Sequence, residues 1–296
     1  MDLCVMIEGQ EGVSWADWQA IAAACEEHGV STLFRSDHYL PLGGREERQV
    51  LDAWGTIIAL AATTTSLRLG ALVSPATFRH PSEFAKLVVT ADHVSGGRID
   101  AGLGAGWNER EHAAYGFPFG TFGDRFERYA EQLEIVHGLW ADGPFSFAGD
   151  HYRLEAVDAQ PKPIQRPLPF IIGGMAKPKT LALADRFASE YNTVFATPAV
   201  ARERRALVPG HLRFSVMTGL VSGRDEAELA RRKQRLADEH GAGELPDGWI
   251  TGLPDAVVAR LREYRDAGCD RVMLQLLLHD EVDQIALIGE LRAALS

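Results

Sequence analysis

Apolar residues along this chain gather into short runs of strand length, separated by longer stretches in which they recur every three to four positions. The runs are LCVMIEG (3–9), TLFRSDH (32–38), LRLGALVS (67–74), RIDAGLGAG (98–106), PFIIGG (169–174), YNTVFA (191–196), LRFSVMTGLV (212–221) and DRVMLQLLL (270–278). Their lengths and their β-branched and aromatic content predict eight strands. The stretches between them carry helix ends. Ser14 precedes WADWQAIAAACEEHG, which Gly29 can close, and His80-Pro81 opens PSEFAKLVVTADHVSGG, with Gly96 and Gly97 as its stop. Further helices are expected at 52–65, 122–140, 177–188, 224–239, 254–267 and 281–295.

Strands alternating with helices predict one α/β domain over residues 1–296, a (β/α)8 barrel. The fold needs about 250 residues. The surplus lies mainly in a Gly- and Pro-punctuated insertion at about 142–168, before strand five. A two-domain doubly wound sheet is the competing reading, but no linker or low-complexity boundary divides the chain. A barrel places chemistry at the C-terminal ends of its strands. Those ends carry Glu8, Asp37-His38, Val73-Ser74, Gly104 to Asn108, Gly173-Gly174, Asn192 and Gln275.

Composition narrows the partner. The 296 residues carry a net charge of -11, which argues against nucleic acid or an anionic membrane, because both recruit clustered Lys and Arg. A small-molecule substrate is the expected partner. Cys4, Cys25 and Cys269 lie far apart with no C-x-x-C pairing and are expected as buried structural thiols in a reducing compartment. The N-terminus lacks a basic, apolar leader and no segment approaches a membrane span, so a cytoplasmic protein is expected.

The candidate chemistry starts with GLGAGWNEREH at 102–112. A dinucleotide fingerprint beginning at Gly102 requires glycine at 107, where Trp107 stands, so the Rossmann reading fails. Glu109 and Glu111 are two apart and point in different directions on a helix, which disfavours a paired-carboxylate site. Glu111 or His112 can contact a ligand; equally, Glu109 and His112 can be exposed polar helix residues. His38 at the end of strand two can act as acid, base or donor to a bound ring, with Asp37 beside it; the alternative is a structural histidine. Ser74-Pro75 alone marks only a strand exit. Gly173-Gly174-Met175 is either a tight turn or an anion cradle at a helix start, with Lys177 or Lys179 nearby. SGGR at 95–98 reads as a helix stop. The chain has no H-E-x-x-H, G-x-S-x-G, Walker loop or Cys/His cluster, and no metal site is expected.

SDHYLP, the 67–120 block, GDRFERYAEQLEIVHGLW and PKPIQRPLPFIIGG together resemble the bacterial luciferase-like flavin and deazaflavin oxidoreductases, most closely the branch using coenzyme F420. The resemblance covers nearly the whole chain. It implies a (β/α)8 barrel whose mouth holds the deazaflavin against the end of strand three, where a non-proline cis peptide, Leu72-Val73, backs the ring and Ser74 faces it. It also implies that His38 contacts the reacting centre, with Asp37 supporting it. Ala105, Gly106-Trp107 and Gly173-Gly174-Met175 match turns that hold the cofactor, its ribityl chain and its phosphate. Glu111 and Arg125 match positions along the cofactor tail.

Two departures stand out. The strand-five turn has Gly173-Gly174-Met175 where many flavin-using relatives place a serine, which favours the F420 branch. The segment 197–212 is shorter than is common, and the basic phosphate readers of the sugar-phosphate branch have no counterpart. The expectation is an F420-dependent oxidoreductase moving hydride between the deazaflavin and a small organic substrate, with Glu8, Asn192 and Gln275 in the substrate pocket, acting as a homodimer. An FMN-dependent monooxygenase on the same barrel and a non-catalytic deazaflavin-binding protein are the alternatives.

Overall fold

Strand β1 (Asp2–Ile7) carries five consecutive buried residues after Asp2, the signature of a strand covered on both faces. The helix after it, α1 (Trp15–Glu27), is opened by a capping box in which Ser14 and Asp17 satisfy one another's backbone N–H groups. This unit then repeats. In chain order follow β2 (Thr32–Arg35), α2 (Ala53–Thr63), β3 (Arg68–Ala71), β4 (Ser74–Pro75), α3 (Pro81–Ser95), β5 (Ile99–Gly104), α4 (Glu109–Tyr115) and α5 (Phe122–Trp140). A hairpin of β6 (Phe145–Ala148) and β7 (Arg153–Val157) precedes β8 (Phe170–Gly173), α6 (Pro178–Phe187), β9 (Glu190–Val194) and α7 (Pro198–Arg205). The chain ends with β10 (Arg213–Ser222), α8 (Glu226–His240), β11 (Ile250–Gly252), α9 (Pro254–Asp266), β12 (Arg271–Gln275) and α10 (Asp283–Leu295). This computed structural model describes residues 1–42, 45, 47–241 and 244–295.

Among the described residues, eight parallel strands run in the order β10-β12-β1-β2-β3-β5-β8-β9, and β9 pairs back onto β10 to close the barrel. The short β4 and β11 lie outside this ring, on β5 and β10. The helices bury Trp18, Trp54, Phe84 and Leu133 against the outside of the strands. Inside lies a separate apolar layer of Cys4, Met6, Phe34, Leu72, Ile171, Met217 and Met273. Below it, toward the N-terminal ends of the strands, Arg271 is shared between Asp100 at 3.0 Å and Glu190 at 3.2 Å. Burial raises the Glu190 carboxyl above its ordinary range even against the Arg271 charge. All three cysteines are free and buried, as their scattered spacing predicts, and burial pushes the Cys4 and Cys269 thiols up to about 12.

The expected helix ends are present: Ser14 caps α1, His80 caps α3 ahead of Pro81, and Gly96 closes α3 in the left-handed region at φ 66°. Expected strand three is broken. It ends at Ala71, passes through the cis Leu72-Val73 peptide, and resumes as β4. The helices α4 and α7 are additions to the expected set, and both are too short, at 7 and 8 residues, to show a helical period. The region 142–168 contains the β6–β7 hairpin and the cis peptides Gln160-Pro161 and Arg166-Pro167. No helix among the described residues is long and apolar enough to cross a membrane.

The alternating glycines of β5 have a steric cause. A Cβ on Gly102 would lie 2.6 Å from the Ala71 carbonyl oxygen and 2.7 Å from Val73 Cγ1, and one on Gly104 would lie 3.0 Å from Val73 Cγ2. Gly106 sits at φ 80°, with Thr77 Oγ1 2.6 Å from where its Cβ would be. The spacing makes room for the strand-three exit. Gly102→Ala should therefore lower stability by about 1–3 kcal/mol, the usual penalty for overpacking a filled site. Urea denaturation checks this, and a variant as stable as the parent would contradict the packing argument.

Candidate active site

The C-terminal ends of the strands bring Glu8, His38, Val73, Gly104, Gly173 and Gln275 to one mouth, as alternation along each strand requires. Glu8 follows Cys4 and Met6 on the interior face of β1. Its carboxylate accepts from Gln275 Nε2 at 2.5 Å and from Gln10 Nε2 at 2.8 Å. Gln10 Oε1 in turn accepts from Ser36 Oγ at 2.5 Å. This chain of partners crosses from β12 to β1 to the end of β2, and it satisfies a carboxylate that is only 8% exposed.

His38 has a different carboxylate from the one its sequence neighbour suggests. Its Nδ1 lies 2.8 Å from Glu111 Oε2. The other Glu111 oxygen accepts from the backbone N–H groups of Tyr39 and of Leu40, the latter at 3.3 Å. Glu111 is wholly buried. Burial alone would raise its carboxyl, but the His38 contact and the two N–H donors outweigh this and hold it below the ordinary range. For His38 burial pulls the imidazole down, while Glu111 first, then Glu8 and Asp37, bring it above its ordinary value. The Trp107 ring meets the His38 ring edge-on at 5.7 Å.

Asp37 points elsewhere. Its carboxylate accepts from Ser74 Oγ at 2.7 Å and from both terminal nitrogens of Arg79, at 2.5 and 3.3 Å. Arg79 also reaches Asp52 at 2.9 Å, and Trp54 Nε1 donates to Ser74 Oγ at 2.9 Å. Ser74 is therefore fully buried and committed on both sides, so its hydroxyl does not face the mouth as expected. Leu72 belongs to the apolar layer inside the barrel, with Val73 packed on it, so the strand-three exit offers an apolar surface.

A polar cleft of about 590 Å³ opens at the other end of the barrel and includes Asp100, Glu190 and Arg271. Those three charges are already paired with one another. The mouth is where His38, an apolar floor and exposed Trp107 meet, and barrel topology makes it the candidate site.

Comparison with known proteins gives the family. A family model described as luciferase-like monooxygenase matches residues 4–237. The chain belongs to the luciferase-like monooxygenase family. An FMNH2-dependent dimethylsulfone monooxygenase of Pseudomonas putida is 33% identical over 179 residues, which span 58% of this chain and 49% of that protein. An F420-dependent glucose-6-phosphate dehydrogenase of Amycolatopsis mediterranei is 26% identical over 298 residues, 88% of each chain. The solved monooxygenase RslO1 of Streptomyces bottropensis superposes with a TM-score of 0.84 at 19% identity over 99% of both chains, a likeness of fold. Members of this luciferase-like family include both F420-dependent dehydrogenases and FMN-dependent monooxygenases.

Within this luciferase-like barrel the expected residues divide. Glu8 meets Gln275, His38 meets Glu111 and Trp107, and Val73 meets Gly102 and Gly104. Glu111 lies beneath His38, although the resemblance implied a place along the cofactor tail. Arg125 holds the turn after β5 and not an open groove: it donates to the Gly106 and Gly120 carbonyls at 3.3 and 2.8 Å and lies 3.7 Å over the Phe119 ring. Asn192 sits a layer below the mouth, donating to Ser215 Oγ and Met273 Sδ at 2.9 and 3.2 Å. His112 is not an exposed helix residue: it is buried between Asn108 O and Thr77 Oγ1, at 2.7 and 2.6 Å.

In the strand-five turn, the Gly174 N–H is bonded to Asn192 O and the Ala176 N–H to the Tyr191 hydroxyl, both at 2.9 Å. Met175 is 53% exposed beside them, and Lys177 precedes α6 as an N-cap residue with no side-chain cap bond. Sequence reasoning missed Arg79 and the exposed Val194 and Phe195 at the end of β9. An arginine 42 positions from Asp37 gives no local signal, but an apolar pair at a barrel strand's end does. Arg79→Met would leave Asp37 buried without its cation. A loss of about 3–5 kcal/mol is expected, read by chemical denaturation. Stability equal to the parent would mean that Ser74 alone suffices.

Proposed function

We propose that this chain is an oxidoreductase that binds coenzyme F420 at the barrel mouth and transfers hydride between the deazaflavin and a small organic substrate. The observation that carries the reading is the meeting, at one mouth, of an apolar strand-three exit with one histidine held by a buried carboxylate. A planar ring system needs an apolar floor and few polar groups that compete for it, and Leu72 and Val73 give that floor. A phosphate on the cofactor's side chain needs N–H donors, and the uncapped start of α6, beside Lys177 and Lys179, supplies them. The residues present therefore fit the group.

When bound, the deazaflavin supplies the hydride chemistry at its carbon 5. The chain supplies position and proton control. Val73 sets the depth of the ring, because Gly102 and Gly104 let its side chain sit flush against β5. Glu8 and Gln275, bonded to each other, offer a polar rim to a substrate. His38 faces the reacting group, where fixed orientation contributes most of the rate. Trp107, Met175 and Phe195, all more than one third exposed, give the ligand apolar walls.

Support for F420 over FMN comes from extent of likeness: the F420-dependent dehydrogenase matches 88% of this chain, the FMNH2-dependent monooxygenase 58%. The second reading, an FMN-dependent monooxygenase, is favoured by the higher identity of that shorter match, 33% against 26%. Binding titrations separate them. Fluorescence titration should show tight F420 and weak FMN binding, and the reverse order would reject the proposal in favour of the monooxygenase. In the F420-loaded enzyme, His38→Ala should lower turnover by about 10²-fold or more while cofactor affinity changes little. Unchanged turnover would remove His38 from the reaction.

A further inference from the structure

The cleft of about 590 Å³ at the N-terminal opening of the barrel is as large as an ordinary small-molecule pocket, about 300–1,000 Å³. The apolar layer that includes Met6, Phe34 and Met273 separates it from the mouth. Its walls carry Asp2, Arg68, Asp100, Glu190, Arg213 and Arg271, from the starts of six different strands or their approaches, with Arg292 of α10 at its edge. Four guanidiniums thus face three carboxylates among the described lining residues, in a chain whose net charge is -11.

Pairing within the cleft balances the carboxylates and leaves donors over. Arg68 is spent on Asp100, the Gly97 and Ile99 carbonyls and Gln165. Arg271 is only 5% exposed, and it meets Asp100 at 3.0 Å and Glu190 at 3.2 Å through Nη1 alone. Its Nε is buried with no hydrogen-bond partner, and Nη2 makes no hydrogen bond with the described residues. Those two nitrogens share one edge of the planar guanidinium, so their N–H bonds run parallel, the fork that grips two oxygens of one anion. Arg213 stands level with Glu190 on the neighbouring strand, and only its Nη2 is engaged, on Asp2 at 3.1 Å. A buried charged donor without a partner is costly, and a charge layer that served only to close the barrel has no use for one.

We propose that this cleft is a second ligand site, distinct from the mouth, that binds a phosphate group, as the free ion or on a small ester, on the Nε–Nη2 edge of Arg271 with Arg213 meeting it from the rim. Each carboxylate of the cleft is already paired, Asp100 with Arg68 and Arg271, Glu190 with Arg271 and Asp2 with Arg213. An incoming anion therefore meets the positive excess. Phosphate suits it better than a monocarboxylate, because its oxygens reach two guanidiniums at once and its charge matches both. The site is independent of the cofactor reading, since none of its residues belongs to the mouth.

Isothermal titration of the full chain tests this, with inorganic phosphate, glycerol phosphate and acetate as probes in chloride buffer of constant ionic strength. Phosphate should bind saturably at one equivalent, about tenfold or more tighter than acetate. Arg271→Lys keeps a cation for Asp100 and Glu190 but lacks the two-donor edge, and should weaken phosphate binding about tenfold or more. Arg213→Gln leaves the buried charges intact and should weaken it about three- to tenfold, so it decides the matter should Arg271→Lys fail to fold. Lys177→Ala, at the opposite end of the barrel, should change nothing. The proposal is overturned by phosphate that shows no saturable binding, by acetate that binds as tightly, by affinity indifferent to both arginine variants, or by binding lost in Lys177→Ala. Tighter binding of the ester assigns the ligand to that class, and tighter or equal binding of inorganic phosphate assigns the free ion.

Discussion

The mouth of this barrel depends on one buried carboxylate, Asp37. It binds the Ser74 hydroxyl where strand three resumes, and through Arg79 it is linked to Asp52, the residue that caps α2. Ser74 is held from its other side by Trp54, in the first turn of α2. One anion thus fixes the relative positions of the ends of β2 and β3 and the starts of α2 and α3. Four elements meeting at a mouth would otherwise expose unpaired polar groups. The arrangement also explains why Asp37 does not orient His38: its lone pairs are already taken.

That leaves the histidine to a carboxylate from another element. Glu111 arrives on α4, a short helix placed by the Asn108 cap directly after the β5 glycines. The same glycines accept the Val73 side chain, so the turn that brings Glu111 beneath His38 and the surface that backs a ring are set by a single stretch of β5. A side chain at Gly102 would displace Val73 and, with it, the apolar face on which the proposed cofactor rests. Packing and chemistry here share the same residues, because barrel strands end where their loops begin.

Much of this was legible in the sequence. Eight apolar runs, the Ser14 and His80-Pro81 caps and the Gly96-Gly97 stop are local signals, and each corresponds to an element or helix end in the fold. The failure of the dinucleotide fingerprint at Trp107 correctly removed the Rossmann fold. What could not be read was partnership. His38 and Glu111 are 73 positions apart, and Asp37 and Arg79 are 42 apart, so no periodicity links either pair. Adjacency in sequence misled, because Asp37 and His38 lie on successive positions at a strand end, where side chains point to opposite faces. The GLGAG spacing was legible as a backbone requirement, but its cause, room for Val73, needed the strand-three exit in place.

The barrel's interior then reads as three layers with different electrostatic tasks. At the N-terminal end, Arg271 joins Asp100 and Glu190, three charges that satisfy each other. In the middle, Cys4, Met6, Phe34, Ile171 and Met273 form an apolar plug. At the mouth, Glu8 is hydrogen-bonded by amide donors and Asp37 is paired with a guanidinium, while Glu111 is matched by an imidazole. Only the last of these partners can change charge near neutral pH, since guanidinium stays charged and amides do not titrate. The plug lowers the dielectric beneath the mouth, which strengthens the pairing above it. The histidine at the mouth is therefore also a group whose charge depends on a buried carboxylate.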